Sequence, residues 1–330
     1  ALVGAGASGF QIAPSIADDV AQLTIYQRTA QWMFPNPVYR TAVPPGERWA
    51  LRHLPFYARW MRFTMGYAGI ATGTAPYRLD PAYPHTDGVA INEGNAFRRR
   101  QLEGWITSRL HGRPDLVEKS IPDYPAMGKR ILQDDGFWLD CLRKPHVELV
   151  RTAIERIVPG GIVTVDGALR AADVICYATG FQHNDFLASM DVTGRNGVSL
   201  RAQWGEAPAA YLGITIPNFP NLFCVYGPGT NLAHSASLFF HSEYQTGYAL
   251  QAIHAVLVSG SRAIEVRENV YDAYARWHQD EISQLVWAHP SITHSHYKNP
   301  DGKVYTLSPW SIDHYWELTR ALNPDEYVIN

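Results

Sequence analysis

The 330-residue chain sets 28 Lys and Arg against 31 Asp and Glu, a formal net charge of −3 at pH 7, so it offers no general electrostatic attraction to nucleic acid or to an anionic membrane. Its 46% hydrophobic and 18% charged residues suit a folded globular enzyme with room for two domains, and no apolar run calls for stable membrane insertion. The three cysteines, Cys141, Cys176 and Cys224, are odd in number and widely spaced, which argues against a disulfide framework or a zinc site and for a reducing, cytoplasmic setting.

The first nine residues read as the end of a buried strand running into Gly4-x-Gly6-x-x-Gly9. In a dinucleotide site the three glycines do different things. Gly4 turns the chain, Gly6 lets backbone approach a pyrophosphate, and Gly9 lets the next helix sit close on the strand. The free N–H groups and positive dipole end of that helix then hold the pyrophosphate. A phosphate loop this close to residue 1 suggests a cut first strand, and hence the rear part of a longer protein. The following helix is apolar at helical spacing from Phe10 to Ile16, but Pro14 predicts a kink or an early end. Gln22 to Tyr26 reads as a second buried strand and completes a strand–loop–helix–strand unit.

The end of that strand bears on the choice of nucleotide. NAD sites keep Asp or Glu here to accept from the ribose hydroxyls, whereas this chain has Gln27-Arg28-Thr29. Arg28 can pair with a 2′-phosphate and Thr29 can add a hydrogen bond, which favours NADPH.

Pro35-Asn36-Pro37 and Pro44-Pro45-Gly46 then mark an irregular loop. Residues from about Trp49 to Ile70 are rich in aromatics and arginine and predict amphipathic helices; Arg52, Arg59 and Arg62 rule out a membrane span. Arg98-Arg99-Arg100 opens a polar helix. Asp123 to Arg130 is a Pro- and Gly-fixed loop presenting Lys129 and Arg130, which on residue types alone suits a surface turn better than a site. Val147 to Val150 predicts a strand, residues 162–165 and 169–170 flank the turn Asp166-Gly167, and Asp173 to Gly180 predicts a buried strand ending in Ala178-Thr179-Gly180, where backbone can approach a ligand. Phe219 to Tyr226 reads as another buried strand. It feeds Gly227-Pro228-Gly229-Thr230-Asn231 and an apolar helix from about Ser237 to Val258, the kind of place where α/β proteins bind ligands.

Taken in order, the Gly4–Gly9 loop, Tyr26-Gln27-Arg28-Thr29, Gly128-Lys129-Arg130, Ala178-Thr179-Gly180-Phe181 and the segment from Asn218 to Asn231 resemble class B flavoprotein monooxygenases, and within them the Baeyer–Villiger monooxygenases acting on aryl ketones such as 4-hydroxyacetophenone. The tail is similar as well, from His289-Pro290-Ser291 through His294 and His296 to Trp310, Tyr315 and Trp316. The family's upstream FAD glycine motif and its aromatic–Gly–His fingerprint are not in this sequence.

The resemblance implies an α/β fold of two dinucleotide-binding, Rossmann-like domains with parallel sheets, N-terminally incomplete. Residues 1–185 would form the NADPH-binding domain with a helical insertion near 49–70. Residues 186–330 would form the C-terminal part of the FAD domain and an extension, with an unpaired sheet edge or an exposed apolar face. It implies FAD and NADPH as cofactors, and a ketone and O2 as substrates, giving an ester or lactone. Arg130 matches the catalytic arginine and suits it chemically, because a guanidinium stays charged beside an oxyanion. Gly4, Gly6, Ser8, Gly9, Gln11, Arg28, Thr29, Lys129, Ala178, Thr179, Gly180, Gly227, Thr230 and Asn231 would contact the cofactors, Lys129 helping Arg28 hold the 2′-phosphate. A flavin monooxygenase oxidising nitrogen or sulfur, and a non-catalytic NADPH-binding module, are the alternatives.

Overall fold

The computed structural model describes all residues except 85–88, 183–184, 235–236 and 294, the last being one of the histidines that the tail resemblance uses. Its elements run β1 (Leu2–Val3), α1 (Ala7–Ile16), β2 (Leu23–Tyr26), β3 (Met33–Pro35), α2 (Pro45–His53), α3 (Tyr57–Thr72), α4 (Glu93–Arg109), α5 (Pro114–Ser120), β4 (Leu132–Asp134) and α6 (Phe137–Leu142). The order continues with β5 (Val147–Val150), β6 (Ile154–Val158), β7 (Gly161–Thr164), β8 (Leu169–Ala171), β9 (Cys176–Tyr177), α7 (Leu200–Trp204), α8 (Leu238–Val258), β10 (Ile264–Val266), α9 (Glu268–Ser283), α10 (Ile312–Thr319) and β11 (Tyr327–Ile329). They form two compact units, Ala1–Val43 with Tyr83–Phe181, and Pro44–Ala82 with Gln182–Asn330.

In the first unit a four-stranded sheet has the order β5-β2-β1-β9, and every neighbouring pair is parallel. Leu2 sits between Ile25 and Cys176 in register. Because β2 and β5 lie to one side of β1 and β9 to the other, the strand order reverses beside β1, and α/β proteins bind ligands outside the carboxyl ends of strands at such a switch point. α1 buries Gly9, Phe10, Ala13 and Pro14, and Phe10 stacks on Trp138 of α6 with ring centroids 5.1 Å apart. It runs through Pro14 and gives out at Ile16 into a 3-10 turn, Ala17–Asp19. This is the early end that a missing N–H predicts. β7 and β8 form the expected hairpin, with Gly167 left-handed at φ +81° in its turn, and β6, which the sequence did not announce, extends it to an antiparallel meander.

Two sequence readings of this unit need correction. The stretch from Asp173 to Gly180 is not a buried strand: only Cys176 and Tyr177 pair, and Val174 and Tyr177 are exposed. The cause is position, since β9 is an edge strand laddered to β1 alone over two residues. The helical segment is not an insertion belonging to the first unit either. α2 and α3 group with the second, where α3 packs on α10 and Arg62 forms an ion pair with Glu243 of α8.

The second unit is mainly helical. α8 packs against α10 over a core that includes Tyr211, Ile214, Tyr248, Tyr274, Trp310, Tyr315 and Tyr327, and its only sheet among the described residues is the antiparallel pair β10–β11. The strand expected at Phe219–Tyr226 is absent. Asn218, Asn221 and Tyr226 all take positive φ, between +59° and +71°, and left-handed residues at both ends cut the stretch into turns. Single hydrogen bonds replace a ladder, from Asn221 N to Ile264 O at 3.0 Å and from Cys224 N to Ile214 O at 2.8 Å. The expected exposed apolar face is present on α8, where Phe239, Leu250, Leu257 and Val258 lie open.

Among the described residues of this unit three imidazoles are buried. Burial pushes His234, His241 and His278 down to about 4 from the ordinary 6.5. A histidine whose folded pKa is depressed contributes full stability above its unfolded pKa, and loses it as pH falls toward the folded one. Urea denaturation of the second unit should therefore show stability falling between pH 6.5 and 4, with His241→Gln flattening the slope. Equal slopes in wild type and variant would remove that histidine from the effect.

At the end of β1 the limit is steric. A Cβ on Gly9 would overlap the Gly4 carbonyl, whereas one on Gly46 in α2 meets nothing within 4 Å. Gly9→Ala should cost on the order of 1–3 kcal/mol in urea denaturation, and Gly46→Ala should be neutral or slightly stabilising. Equal stability of the two variants would contradict this packing.

Candidate nucleotide-binding site

Three strand ends meet at the carboxyl edge of the first unit's sheet. Gly4 follows β1 with φ +107° and donates its N–H to Tyr26 O at 2.9 Å, while Ala178 N donates to Val3 O at 2.8 Å. A Cβ on Gly4 would overlap the Ala178 carbonyl, but at Gly6 there is nothing within 4 Å. Two glycines thus allow backbone to touch backbone, and the third faces open space at the start of α1. Gly6 is the N-cap in extended conformation with no side-chain cap, so the first N–H groups of α1 are left for a ligand. This cradle fits a pyrophosphate. Ser8 and Gln11 are exposed on the first turns of α1, where Gln11 Nε2 donates back to Ala7 O at 3.0 Å. Thr179 and Gly180 are exposed beyond Ala178, and Gly180 has φ +105°.

The end of β2 divides its residues between inside and outside. Gln27 is buried. Its backbone N–H donates to Val150 O at 2.8 Å and its Nε2 donates to Lys119 O at 2.9 Å, so the residue standing in for an acidic one is turned inward and is spent on α5. Arg28 is exposed and Thr29 half-buried. The guanidinium of Arg28 forms no ion pair among the described residues.

The loop bearing Lys129 and Arg130 is bound to the same region through Trp32, three residues past Thr29. The fully buried Trp32 donates its indole N–H to Tyr124 O at 3.1 Å, and its carbonyl accepts from Leu132 N at 3.0 Å. Beyond it β3 and β4 pair in parallel, Met33 with Leu132. Within the loop Met127 takes φ +67° and Gly128 N donates to Pro125 O at 3.1 Å. Lys129 is buried, with its ammonium 4.6 Å from the centre of the Tyr124 ring, a cation–π contact. Arg130 is exposed. The two neighbouring cations are thus held differently, one against an aromatic wall and one open.

Gly227, Thr230 and Asn231 lie in the second unit. Gly227 packs on the Gly213 carbonyl with no room for a Cβ. Thr230 is fully buried, and its hydroxyl donates to Gly227 O at 2.7 Å. His241 Nδ1 lies 3.0 Å from Thr230 O, which makes that nitrogen the protonated one, and His278 Nε2 lies 2.9 Å from Leu307 O and 3.3 Å from Gly229 O. Asn231 Oδ1 accepts from the Tyr226 hydroxyl at 2.9 Å, and Gln245 Oε1 accepts from Tyr226 N at 2.6 Å. The side chain of Thr230 therefore shapes this loop, while Asn231 is only half-buried. None of these three lines a cavity of about 340 Å3 in this unit, which is walled by Pro228, Gly229, Arg276, Lys303 and Tyr305 among others. Among the described residues no cluster of His, Cys, Asp and Glu could hold a metal, and no helix is long and apolar enough to cross a membrane.

Sequence reasoning missed Trp32, Tyr124, Asn95 and the inward turn of Gln27. Trp32 had a usable signal in its nearness to Arg28, whereas Asn95 sits in a polar helix start with nothing to mark it.

No family model matches the chain. It is 36% identical over 328 residues to an uncharacterized monooxygenase of Sinorhizobium fredii, covering 99% of this chain and 49% of that protein. It is 30% identical to an FAD-binding monooxygenase of Aspergillus niger, covering 99% and 52%, and 30% identical to a Baeyer–Villiger monooxygenase of Pseudomonas aeruginosa, covering 99% and 59%. Among solved structures, an oxidized steroid monooxygenase bound to NADP matches with a TM-score of 0.78 at 24% identity, over 99% of this chain and 66% of that one. OTEMO in complex with FAD and NADP also matches with a TM-score of 0.78, at 23% identity over 100% and 65%. The chain thus has the two-dinucleotide-domain flavoprotein fold and spans roughly half to two-thirds of these proteins. From end to end it is similar to flavoprotein monooxygenases, among them one of the Baeyer–Villiger group.

Proposed function

We propose that the protein of which this chain forms part is an FAD- and NADPH-dependent monooxygenase that inserts one atom of O2 beside the carbonyl of an aryl, cyclic or linear ketone, giving an ester or lactone. The observation that carries this reading is the glycine cradle at the switch point of the first unit, with Arg28 at one edge and the Lys129–Arg130 loop bound beside it through Trp32. The similarity to an FAD-binding and a Baeyer–Villiger monooxygenase supports it. The first unit would then be the NADPH domain, and the second the C-terminal part of the FAD domain with its extension, working in the cytoplasm.

Bound flavin, reduced by NADPH, would supply the activation of oxygen. The chain's own residues bind, orient and balance charge. The cradle with Ser8 and Gln11 nearby holds the NADPH pyrophosphate on the uncapped start of α1. Arg28, Thr29 and Lys129 hold the 2′-phosphate, and the absence of a carboxylate at Gln27 spares it a repulsion. Ala178, Thr179 and Gly180 close the far side of the cradle. In the second unit the tightly packed Gly227–Thr230 turn leaves Asn231 and backbone groups to meet the flavin. Arg130, permanently charged and open, opposes the negative charge that develops on the ketone oxygen as it is attacked.

Two measurements test this reading. Arg28→Ala should weaken NADP+ binding roughly ten- to a hundredfold, an energy of about 1.5–3 kcal/mol for a charge-assisted bond, and leave NAD+ binding unchanged. Equal wild-type affinity for the two nucleotides would overturn the assignment. In the full-length enzyme Arg130→Ala should slow oxygen insertion by about 10²–10³ while NADPH is still consumed, its reducing equivalents leaving as hydrogen peroxide. Ester formation at the wild-type rate would exclude Arg130 and favour a nitrogen- or sulfur-oxidising enzyme, which needs no such partner.

A further inference from the structure

We infer that Asn95, on the first turn of α4, is a positioning residue that holds the Lys129–Arg130 loop in its phosphate-reading shape; this rests on the assignment of Lys129 to the 2′-phosphate. Asn95 is fully buried, and its Nδ2 donates to Ala126 O at 2.8 Å. Ala126 is the residue before Met127, whose φ of +67° is a conformation that a bulky L-residue adopts only when its surroundings impose it. The carbonyl that Asn95 grips is therefore at the point where the loop is most strained.

The rest of the loop is held at its ends. Trp32 takes Tyr124 O before the turn and Leu132 N after it, and the Tyr124 ring backs the ammonium of Lys129. These contacts fix where the loop begins and finishes. At the tip between them, the turn from Gly128 N to Pro125 O closes the chain on itself, and Asn95 ties it to a helix. That side chain is itself placed by its helix: Asn92 is the N-cap of α4, its Oδ1 accepts from Asn95 N at 2.7 Å, and Ala96, Leu102 and Ile106 bury the same helix. A rigid, capped helix thus aims one buried amide at the tip of a strained loop, as preorganisation of a binding group requires.

Losing the amide frees the Ala126 carbonyl and lets Met127 relax toward ordinary backbone, which moves Lys129 off the Tyr124 ring. The consequence is selective. The pyrophosphate cradle lies on β1 and α1, so affinity for NAD+ should persist, while the 2′-phosphate contribution should fall.

The test is the ratio of NADP+ to NAD+ affinity, measured by calorimetry on the full-length protein. Asn95→Ala should lower that ratio about tenfold with NAD+ affinity within twofold of wild type. In a Lys129→Ala background the same change should lower it no further, since Asn95 acts through Lys129. Asn95→Ser keeps a short donor in the buried space and should restore part of the ratio, and it carries the test if the alanine variant does not fold. An unchanged ratio in Asn95→Ala, or in Asn95→Ser where the alanine variant does not fold, beside a lowered one in Lys129→Ala, would overturn the positioning role and leave the assignment of Lys129 standing. Parallel loss of both affinities would reduce Asn95 to a structural residue. An unchanged ratio in Lys129→Ala itself would strike the underlying assignment instead.

Discussion

The close approach of backbone to backbone at the end of β1 is what the first unit depends on. Three segments share a space with no room for a β-carbon: Gly4 against the Ala178 carbonyl, and Gly9 against the Gly4 carbonyl. That contact brings α1 down onto the sheet, and it sets β9 beside β1 on the side opposite β2. Each consequence serves the same site. The approach of α1 aims its uncapped amides at the strand ends, and the arrival of β9 creates the switch point. Gly6 is the one glycine of the three whose missing side chain leaves open space.

Around that fixed point the cations are sorted by burial. Gln27 turns inward, so the end of β2 carries no carboxylate, and Arg28 beside it is left outward. Lys129 is buried against an aromatic ring and Arg130 is open. A lysine ammonium is a compact charge that an aromatic face can hold at one spot, whereas an arginine keeps its charge in any environment. The buried member of the pair suits a ligand that is always present in the same place, such as a phosphate. The open one suits charge that appears only during reaction. Two adjacent residues with similar charge are thereby placed in different surroundings.

The parts of the fold legible in the sequence are those governed by local rules. The glycine spacing, the strand at Leu23–Tyr26, the turn at Asp166-Gly167 and the early end of α1 after Pro14 each follow from the conformational needs of a few consecutive residues. Where the outcome depended on distant partners, the reading fell short. The stretch Phe219–Tyr226 is apolar enough for a strand, yet asparagines and a tyrosine in left-handed conformation break it. Asp173–Gly180 has strand composition, but two residues of ladder are all that β1 offers it. Composition foretold helices near residues 49–70 without revealing that they pack with the second unit. Asn95 was illegible for a related reason: its importance lies in a hydrogen bond across 31 residues of sequence, and nothing in its neighbours announces it.

The second unit shows a contrasting strategy for shaping a loop. Where the first unit removes side chains, the second braces its Gly227–Asn231 turn with polar ones: the buried Thr230, His241 and His278 each meet a backbone carbonyl of the turn, the half-buried Tyr226 donates to Asn231, and the buried Gln245 accepts from Tyr226 N just before it. Buried polar networks are costly unless they are satisfied, and rigid when they are. The imidazoles add a condition, since their burial disfavours the charged form and keeps them neutral down to about pH 4, below which the buried charge weighs against the folded turn. A glycine cradle is indifferent to pH, but a histidine-braced turn is not. The two units should therefore respond differently to mild acid, with the nucleotide cradle keeping its shape under conditions that loosen the turn presenting Asn231.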